Sequence, residues 1–387
     1  MNTATTSLAK PRLWVFNPGH EEALQHRDKA SYTPSRLVRR MMHELPLLLC
    51  PLCRAEDYIY APSLDGLTAI VLDAKGLVVT DYSTLPELEL CLWALDPHTL
   101  RRIERWANTQ GIRLKLPNIS EAYYQLSDRS SASGFLSFLA DKGSQLLPST
   151  ALIPQWLAPE GEVRRDYIEG LIAQGYTRLA LKHPYSSSGR GVELLQLPLS
   201  SADLERLDRY PRLSLEPGLQ KVQDYALLYY MDAKGISTIG YSKFLTAPNR
   251  ETTYAGNILA PQAEIAEELS LVLGSREALE QLHRLQSAFL WQELGGQYQG
   301  YIGIDVMSYR DNDGALQLHP CIEINVRCTM GVLALYLSEK PETPTYGIYR
   351  LNYQKAPTEP VLFITPSSEG PRFVAFIEYL QYTQQTQ

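Results

Sequence analysis

Apolar and polar residues alternate along this chain with two different spacings, and the spacing predicts an order of elements. "RLWVFNPG" (residues 12–19) is an apolar run stopped by Pro18 and Gly19, the signature of a buried strand. "EEALQHRDK" follows with weakly helical character, and "DYIYAP" (57–62) and "AIVLD" (69–73) read as further strands. "DPHTLRRIERWANTQGI" (96–112) predicts a helix opened by Asp96 and Pro97 and closed by Gly111. Strands alternating with helices predict an α/β domain with a largely parallel sheet.

A second region begins near Pro117. Helices are expected over 127–143 and 160–176, each ended by a glycine (Gly143, Gly175). "TRLALKHPYSSSGRGVELLQL" (177–197) alternates on both sides of a glycine-rich centre, the pattern of a β-hairpin with a long tip. Two strands around a turn at Asp232 to Gly235 account for 224–246, and 275–295 is the longest helix. Residues 301–327 read as strand, Asn-Asp-Gly turn, strand. After about 345 come short strands and one helix over "PRFVAFIEYLQYTQ"; there is no internal repeat and no low-complexity tract.

Composition narrows the function classes. The chain has 387 residues, 44% hydrophobic, enough for two or three domains or one multi-lobed enzyme. A formal net charge of −7 without any basic run argues against nucleic acid or an acidic membrane as partner. No apolar run approaches the roughly 18 residues of a membrane span, and "MNTATTSLAKPRLWVF" lacks the basic start and apolar core of a secretory signal. A cytoplasmic protein is expected. Five cysteines make no disulfide framework. Cys50 and Cys53 form a CxxC, but "LPLLLCPL" (45–52) reads as an ordinary buried strand ending at Pro51 rather than a redox or metal site.

Two stretches carry chemistry. In "KHPYSSSGRGV" (182–192), Gly189 and Gly191 let the backbone bend around an anion, Ser186, Ser187 and Ser188 add hydroxyl donors, and Lys182 supplies charge from the strand. A solvated tip is the plain alternative. The segment is neither a Walker loop nor kinase-like, because its glycines follow the strand lysine. In "YIGIDVMS…HPCIEINVR", Asp305 lies on one strand while Glu323 and Asn325, two apart on the next, leave the same face. Three oxygen donors at strand ends suit Mg²⁺ holding phosphates, and Arg327, two further on, is placed to steady a transferring phosphoryl group. A solvent-facing strand would also alternate, but "CIEINV" has the look of a central one.

In this order the segments resemble the ATP-grasp superfamily, over roughly residues 118–335. The resemblance implies an ATP-grasp fold (α+β lobes) preceded by a small α/β pre-ATP-grasp domain: residues 1–117, then 118–340 with a lid-bearing lobe at about 148–220, then an extension, 341–387, packed on the ATP-grasp domain. It implies that Lys182 binds the α- and β-phosphates with Ser186, Ser187, Ser188, Gly189, Arg190 and Gly191 closing over them. "LSLEPGL" (213–219) resembles the interlobe linker, so Glu216 and the backbone near Leu219 would meet adenine. Asp224 stands where the family usually has a ribose-binding Glu, and Lys243 resembles the second phosphate lysine. Asp305, Glu323 and Asn325 would hold one or two Mg²⁺ ions (Mn²⁺ substituting), with Arg327 at the transfer site. Asn17, Gly19 and His20 in the first strand-to-helix loop, and Tyr254 and Asn257 in "TTYAGNILAP" (252–261), read as a substrate loop, are the substrate candidates.

The implied activity is ATP-dependent carboxylate–amine ligation through an acyl phosphate, with small-molecule carboxylate and amine substrates. Dimers are common in such families. A small-molecule kinase of the same fold and a catalytically inactive nucleotide-binding protein are the alternatives.

Overall fold

The buried residues Leu13, Trp14 and Val15 put β1 (Arg12–Val15) at the centre of a five-stranded sheet. The computed structural model describes residues 10–380 except 158–160, 185–190, 210–212, 249, 356, 358–360 and 367–368. After β1 come α1 (His20–Gln25), α2 (Arg36–Glu44), a 3₁₀ segment (Pro46–Leu52), β2 (Tyr58–Pro62), β3 (Ala69–Asp73), β4 (Leu88–Leu92), α3 (Pro97–Gln110) and β5 (Leu114–Lys115). The sheet order is β3–β2–β1–β4–β5, parallel except for β3. Helix α3 is capped as its sequence predicts. Asp96 Oδ1 accepts from Thr99 N at 2.7 Å, and Gly111 ends the helix in the left-handed region, φ 71°.

Residues 45–52 are not the expected strand. Pro46 and Pro51 cannot donate to a ladder, and the segment coils into the 3₁₀ turn with Leu48, Leu49 and Leu52 buried.

The described residues up to Ile119, together with Leu351–Phe376, make one unit; those from Ser120 to Arg350, with the residues from Ile377 on, make the other. Leu351–Phe376 thus groups with the first unit instead of forming an extension on the second. Within the first unit Phe373 N donates to Glu44 Oε2 at 2.7 Å, and the Arg40 guanidinium lies 5.0 Å over the Tyr353 ring.

The second unit opens with α4 (Glu121–Ser127) and α5 (Ser131–Asp141). Next are β6 (Gln155–Leu157), α6 (Gly161–Ala173), β7 (Arg178–Lys182), β8 (Val192–Gln196), α7 (Ser201–Leu207) and β9 (Leu213–Pro217). Its four-stranded antiparallel sheet has the order β6–β9–β7–β8 over a small core that includes Leu179, Leu181, Leu213 and Leu215. The larger sheet is built from β10 (Gln220–Asp232), β11 (Gly235–Ala247) and β12 (Arg250–Leu259), then, after α8 (Gln262–Leu273) and α9 (Arg276–Leu294), β13 (Gly300–Arg310) and β14 (Leu316–Asn325). Helix α10 (Met330–Ser338) and β15 (Gly347–Gln354) follow, and the strands pair antiparallel in the order β14–β13–β10–β11–β12–β15. The chain ends with β16 (Val361–Phe363) and β17 (Arg372–Tyr379). The latter replaces the helix expected there, because Phe373 to Ile377 are buried on both faces. Likewise 252–261 is mostly strand β12, not a loop.

Helices cover one face of the larger sheet through polar as well as apolar contacts. On β10, Tyr225 reaches Glu268 (3.1 Å) on α8; Tyr229 reaches His283 Nδ1 (2.8 Å) and Gln286 Oε1 (2.6 Å) on α9. Tyr241 on β11 meets His283 Nε2 at 3.0 Å. The alternation of a strand therefore leaves Asp224 and Ala226 on the opposite face. No helix among the described residues is long and apolar enough to cross a membrane.

In the first unit, sealed Asp57 joins β1 to the turn before β2. It accepts from Arg12 N (2.9 Å), Trp14 Nε1 (3.2 Å), Arg54 N (3.0 Å) and the Arg54 guanidinium (2.8 Å). Burial raises its pKa, but the Arg54, Trp14 and Arg12 donors together outweigh burial and hold it below the usual carboxylate value. A depressed pKa stabilises the fold above the unfolded value of about 4 and the benefit is lost as pH falls through the lower folded value. Asp57→Asn is therefore expected to cost about 3 kcal/mol at neutral pH, with a smaller difference from wild type in acid. Denaturant melts at pH 7 and pH 3 check both.

Candidate functional site

Strands β7 and β8 pair with Lys182 opposite Val192, and His183 N donates to Gly191 O at 2.9 Å, so the lysine stands where the hairpin opens. Ser186, Ser187, Ser188, Gly189 and Arg190 of the tip lie outside the described residues; Gly191 is buried. On the neighbouring β9, Glu216 is opposite Ala180, one step along the same face from Lys182. Lys182 Nζ is accordingly 2.5 Å from Glu216 Oε1, and both residues are buried. Nζ also lies 3.4 Å from Ile322 O on β14, which links the small sheet to the large one.

On the large sheet, Asp305 of β13 is directly opposite Glu323 of β14, and Gly303 is opposite Asn325. All three oxygen-bearing side chains share a face. Asn325 Nδ2 donates to Asp305 Oδ2 at 3.2 Å. Glu323 is gripped by a residue the sequence reading missed. Arg129, in the turn between α4 and α5, donates from Nε to Oε1 (3.1 Å) and from Nη2 to Oε2 (3.4 Å). Asp305 touches solvent in the cleft but is surrounded by protein on every other side. Burial and then the charge of Glu323 raise its pKa to about 8, against the opposing pull of Arg327. Arg327 is not on the strand face as expected, since β14 ends at Asn325. It occupies the following turn and still lines the same cavity.

These groups surround a cavity of about 270 Å³. Ala180, Val192, Leu194, Leu219, Met307 and Ile322 give part of it an apolar lining, and the charged residues above line the rest. Asp224 faces it from β10, held by Lys221 Nζ at 2.7 Å, which also donates to Thr246 Oγ1 at 2.8 Å. Tyr254 and Asn257 line it too. The Tyr254 hydroxyl donates to Asn257, whose Nδ2 donates to Ser242 Oγ at 2.6 Å.

Lys243 does not join them. It turns to the other face, where its Nζ meets Glu268 at 2.7 and 2.9 Å. The cause is a β-bulge. From the turn, Asp232 pairs with Gly235 and Tyr229 with Thr238, a register that would put Lys243 opposite Asp224. A shift between Leu228 and Tyr229 inserts one residue, so Asp224 pairs with Phe244 and Lys243 changes face.

The first-unit candidates also have structural explanations. Asn17 donates to Ala94 O (2.7 Å) and Asp96 Oδ2 (2.8 Å) and accepts from Ala94 N (3.2 Å), stapling the ends of β1 and β4. A Cβ on Gly19 would lie 2.7 Å from Val38 Cγ1, so the glycine admits α2. His20 is buried, with Nδ1 3.1 Å from Glu21 Oε2.

Among the described residues no group of three or more His, Cys, Asp or Glu side chains is arranged to hold a metal. The oxygen set here is two carboxylates and one amide. It fits a hard cation such as Mg²⁺, because Asp305 and Glu323 face one another across a rung, and a cation there would offset both the burial and the Glu323 charge that raise the Asp305 pKa.

No family model and no curated protein matches the chain. Similar solved structures include an N5-carboxyaminoimidazole synthetase from Staphylococcus aureus complexed with ADP, at 12% identity and TM-score 0.44 over 77% of this chain and 78% of that one. D-alanyl-alanine synthetase A from Vibrio cholerae is similar at 11% identity and TM-score 0.41, covering 84% and 90%. The biotin carboxylase domain of a Hydrogenobacter thermophilus 2-oxoglutarate carboxylase is similar at 13% and 0.43, covering 77% and 71%.

A raised Asp305 pKa means that the folded chain holds a proton the unfolded chain releases near pH 4, so this site costs stability increasingly as pH rises towards 8. Asp305→Asn is expected to raise the melting temperature of the ligand-free protein at pH 8.5 relative to wild type, with the gain vanishing by about pH 4. Calorimetric melts across that range check the sign.

Proposed function

We propose that the second unit is an ATP-grasp domain that binds Mg·ATP and activates a carboxylate as an acyl phosphate for attack by an amine. One observation carries this reading. Three carboxylates around a single cavity each hold a cation: Glu216 with Lys182, Glu323 with Arg129, and Asp224 with Lys221. A magnesium-bound nucleotide is the ligand that satisfies both kinds of partner: its phosphates would take Lys182 and Arg129, its metal Glu323, and its base and ribose donors Glu216 and Asp224. The apolar lining from Ala180, Leu194 and Met307 suits a flat base.

In this reading Glu216 and the backbone at Leu219 meet the edge of the adenine. Asp224, oriented by Lys221, takes the ribose hydroxyls. Lys182 would leave Glu216 for the phosphates, and Arg129 would be free to join it with Glu323 holding the metal. Asp305, Glu323 and Asn325 would hold Mg²⁺, which when bound neutralises charge on the phosphates. Arg327 stabilises charge on the transferring group, and Tyr254, Asn257 and Ser242 offer an uncharged hydrogen-bonding wall to the acceptor. Alignment and fixed charge are all the protein need contribute to such a transfer.

The test is positional isotope exchange in ATP labelled at the β,γ-bridge, run with a panel of carboxylates and no amine, followed by hydroxylamine trapping. Scrambling together with a hydroxamate is expected for the cognate acid. Phosphorylation of a hydroxyl without hydroxamate would replace the ligase by a kinase, and no nucleotide binding at all would overturn the site.

The variants should separate by role. Lys182→Ala is expected to weaken Mg·ATP binding by about 10- to 100-fold, the range for losing a hydrogen bond to a charged group. Glu323→Ala is expected to lower turnover by about 100- to 1,000-fold with the fold intact. Arg327→Ala should lower kcat with little change in nucleotide affinity. Calorimetry and steady-state rates on the three proteins check the split.

A further inference from the structure

The first unit contains a cavity of its own, about 180 Å³, lined by Tyr32, Arg39, Met42, Tyr60, Asp65 and Arg102 among others. It opens where β2 ends, at Pro62 and Ser63, between side chains from α2 and α3. The sheet order turns back at β1, and in open α/β sheets of that kind ligands bind beyond the carboxyl ends of the strands.

Its two arginines are unusual. Arg39 Nε and Arg102 Nη2 are shut off from solvent and have no hydrogen-bond partner among the described residues, and neither guanidinium makes an ion pair there. An unpaired buried donor on a charged group is costly. Asp65 is the acid among the lining residues, and it is already engaged in its own turn. Its Oδ1 accepts from Ser63 Oγ (2.6 Å) and Leu67 N (2.9 Å). Two arginines against one engaged carboxylate leave the cavity positive. The rings of Tyr32 and Tyr60 and the Met42 side chain give it apolar walls.

We infer that this cavity binds a small molecule through an oxyanion, phosphate or carboxylate, held by Arg39 and Arg102. Guanidinium forks match the planar or tetrahedral oxygens of such groups, and an oxyanion supplies the acceptors that Arg39 Nε and Arg102 Nη2 lack. The inference is independent of the nucleotide reading of the second unit.

Titration calorimetry on the full chain tests it, with inorganic phosphate and succinate as probes and Lys182→Ala as the background that weakens phosphate capture in the second unit. Either probe is expected to bind, and Arg39→Gln or Arg102→Gln in that background to weaken it by about tenfold or more. Binding of succinate alone would assign a carboxylate ligand, binding of phosphate alone a phosphate. Equal affinity with and without the arginines, or no binding of either probe at millimolar concentration, would overturn the site. A melt in anion-free buffer covers the possibility that the arginines serve only the fold. Arg102→Gln should melt at or above wild type, since it removes a part-buried guanidinium whose sealed Nη2 has no partner among the described residues, and a large drop would overturn the proposal.

Discussion

Asp305 and Glu323 stand across one rung of an antiparallel ladder, and most of the candidate site depends on that pairing. Two carboxylates at that spacing repel, and burial keeps water from screening them. The protein answers with a raised pKa at Asp305, an amide from Asn325 and a guanidinium from Arg129. Each answer is partial. Gly303 leaves the position opposite Asn325 without a side chain, and a Cβ there would come within 3.3 Å of Thr329 Cγ2. The ladder thus concentrates negative charge and keeps room beside it.

The same logic extends to the small sheet. Lys182 and Glu216 are buried together, and a buried pair of this kind contributes little net stability while being costly to break by halves. In the nucleotide reading proposed above, its value lies in being ready to exchange partners. An apo protein with bare lysines and arginines in the cavity would repel itself, and one with bare carboxylates would take any cation. Pairing them within the cavity keeps both sets oriented.

Much of this was legible beforehand. The hairpin, the strand lysine and the alternation in "CIEINV" are local patterns with a period of two, and strands obey them wherever they pack. Lys243 was assigned by resemblance alone, and a motif does not report register: one residue inserted in β11 opposite Leu228 and Tyr229 turns Lys243 to the other face. Arg129 and Lys221 carry no local signature: one is in a turn, the other at the start of a strand, and only the packing brings them to Glu323 and Asp224. Residues 372–379 misled for a different reason. A short, continuous apolar run is equally compatible with a buried helix and a central strand, and nothing in "FVAFI" breaks the tie. Asn17 and His20 were substrate candidates only because the resemblance places a substrate loop after the first strand; in the structure one of them closes a staple between strands and the other is packed inside.

The hydrogen bonds on the back of the large sheet have their own consequence. The Tyr229 hydroxyl donates to Gln286, so His283 must offer it a proton from Nδ1 and accept one from Tyr241 at Nε2. The ring is thereby fixed in one neutral tautomer, and burial lowers its pKa to about 4. A histidine that stays neutral when folded but charges near pH 6.5 when unfolded loses stability for the fold as acid rises. Asp305, on the opposite face, does so as base rises. The two sides of one sheet therefore lean against each other along the pH axis: between about pH 4 and 6.5 a rise in pH relieves His283 while it burdens Asp305, and above that only the Asp305 cost keeps growing, up to about 8.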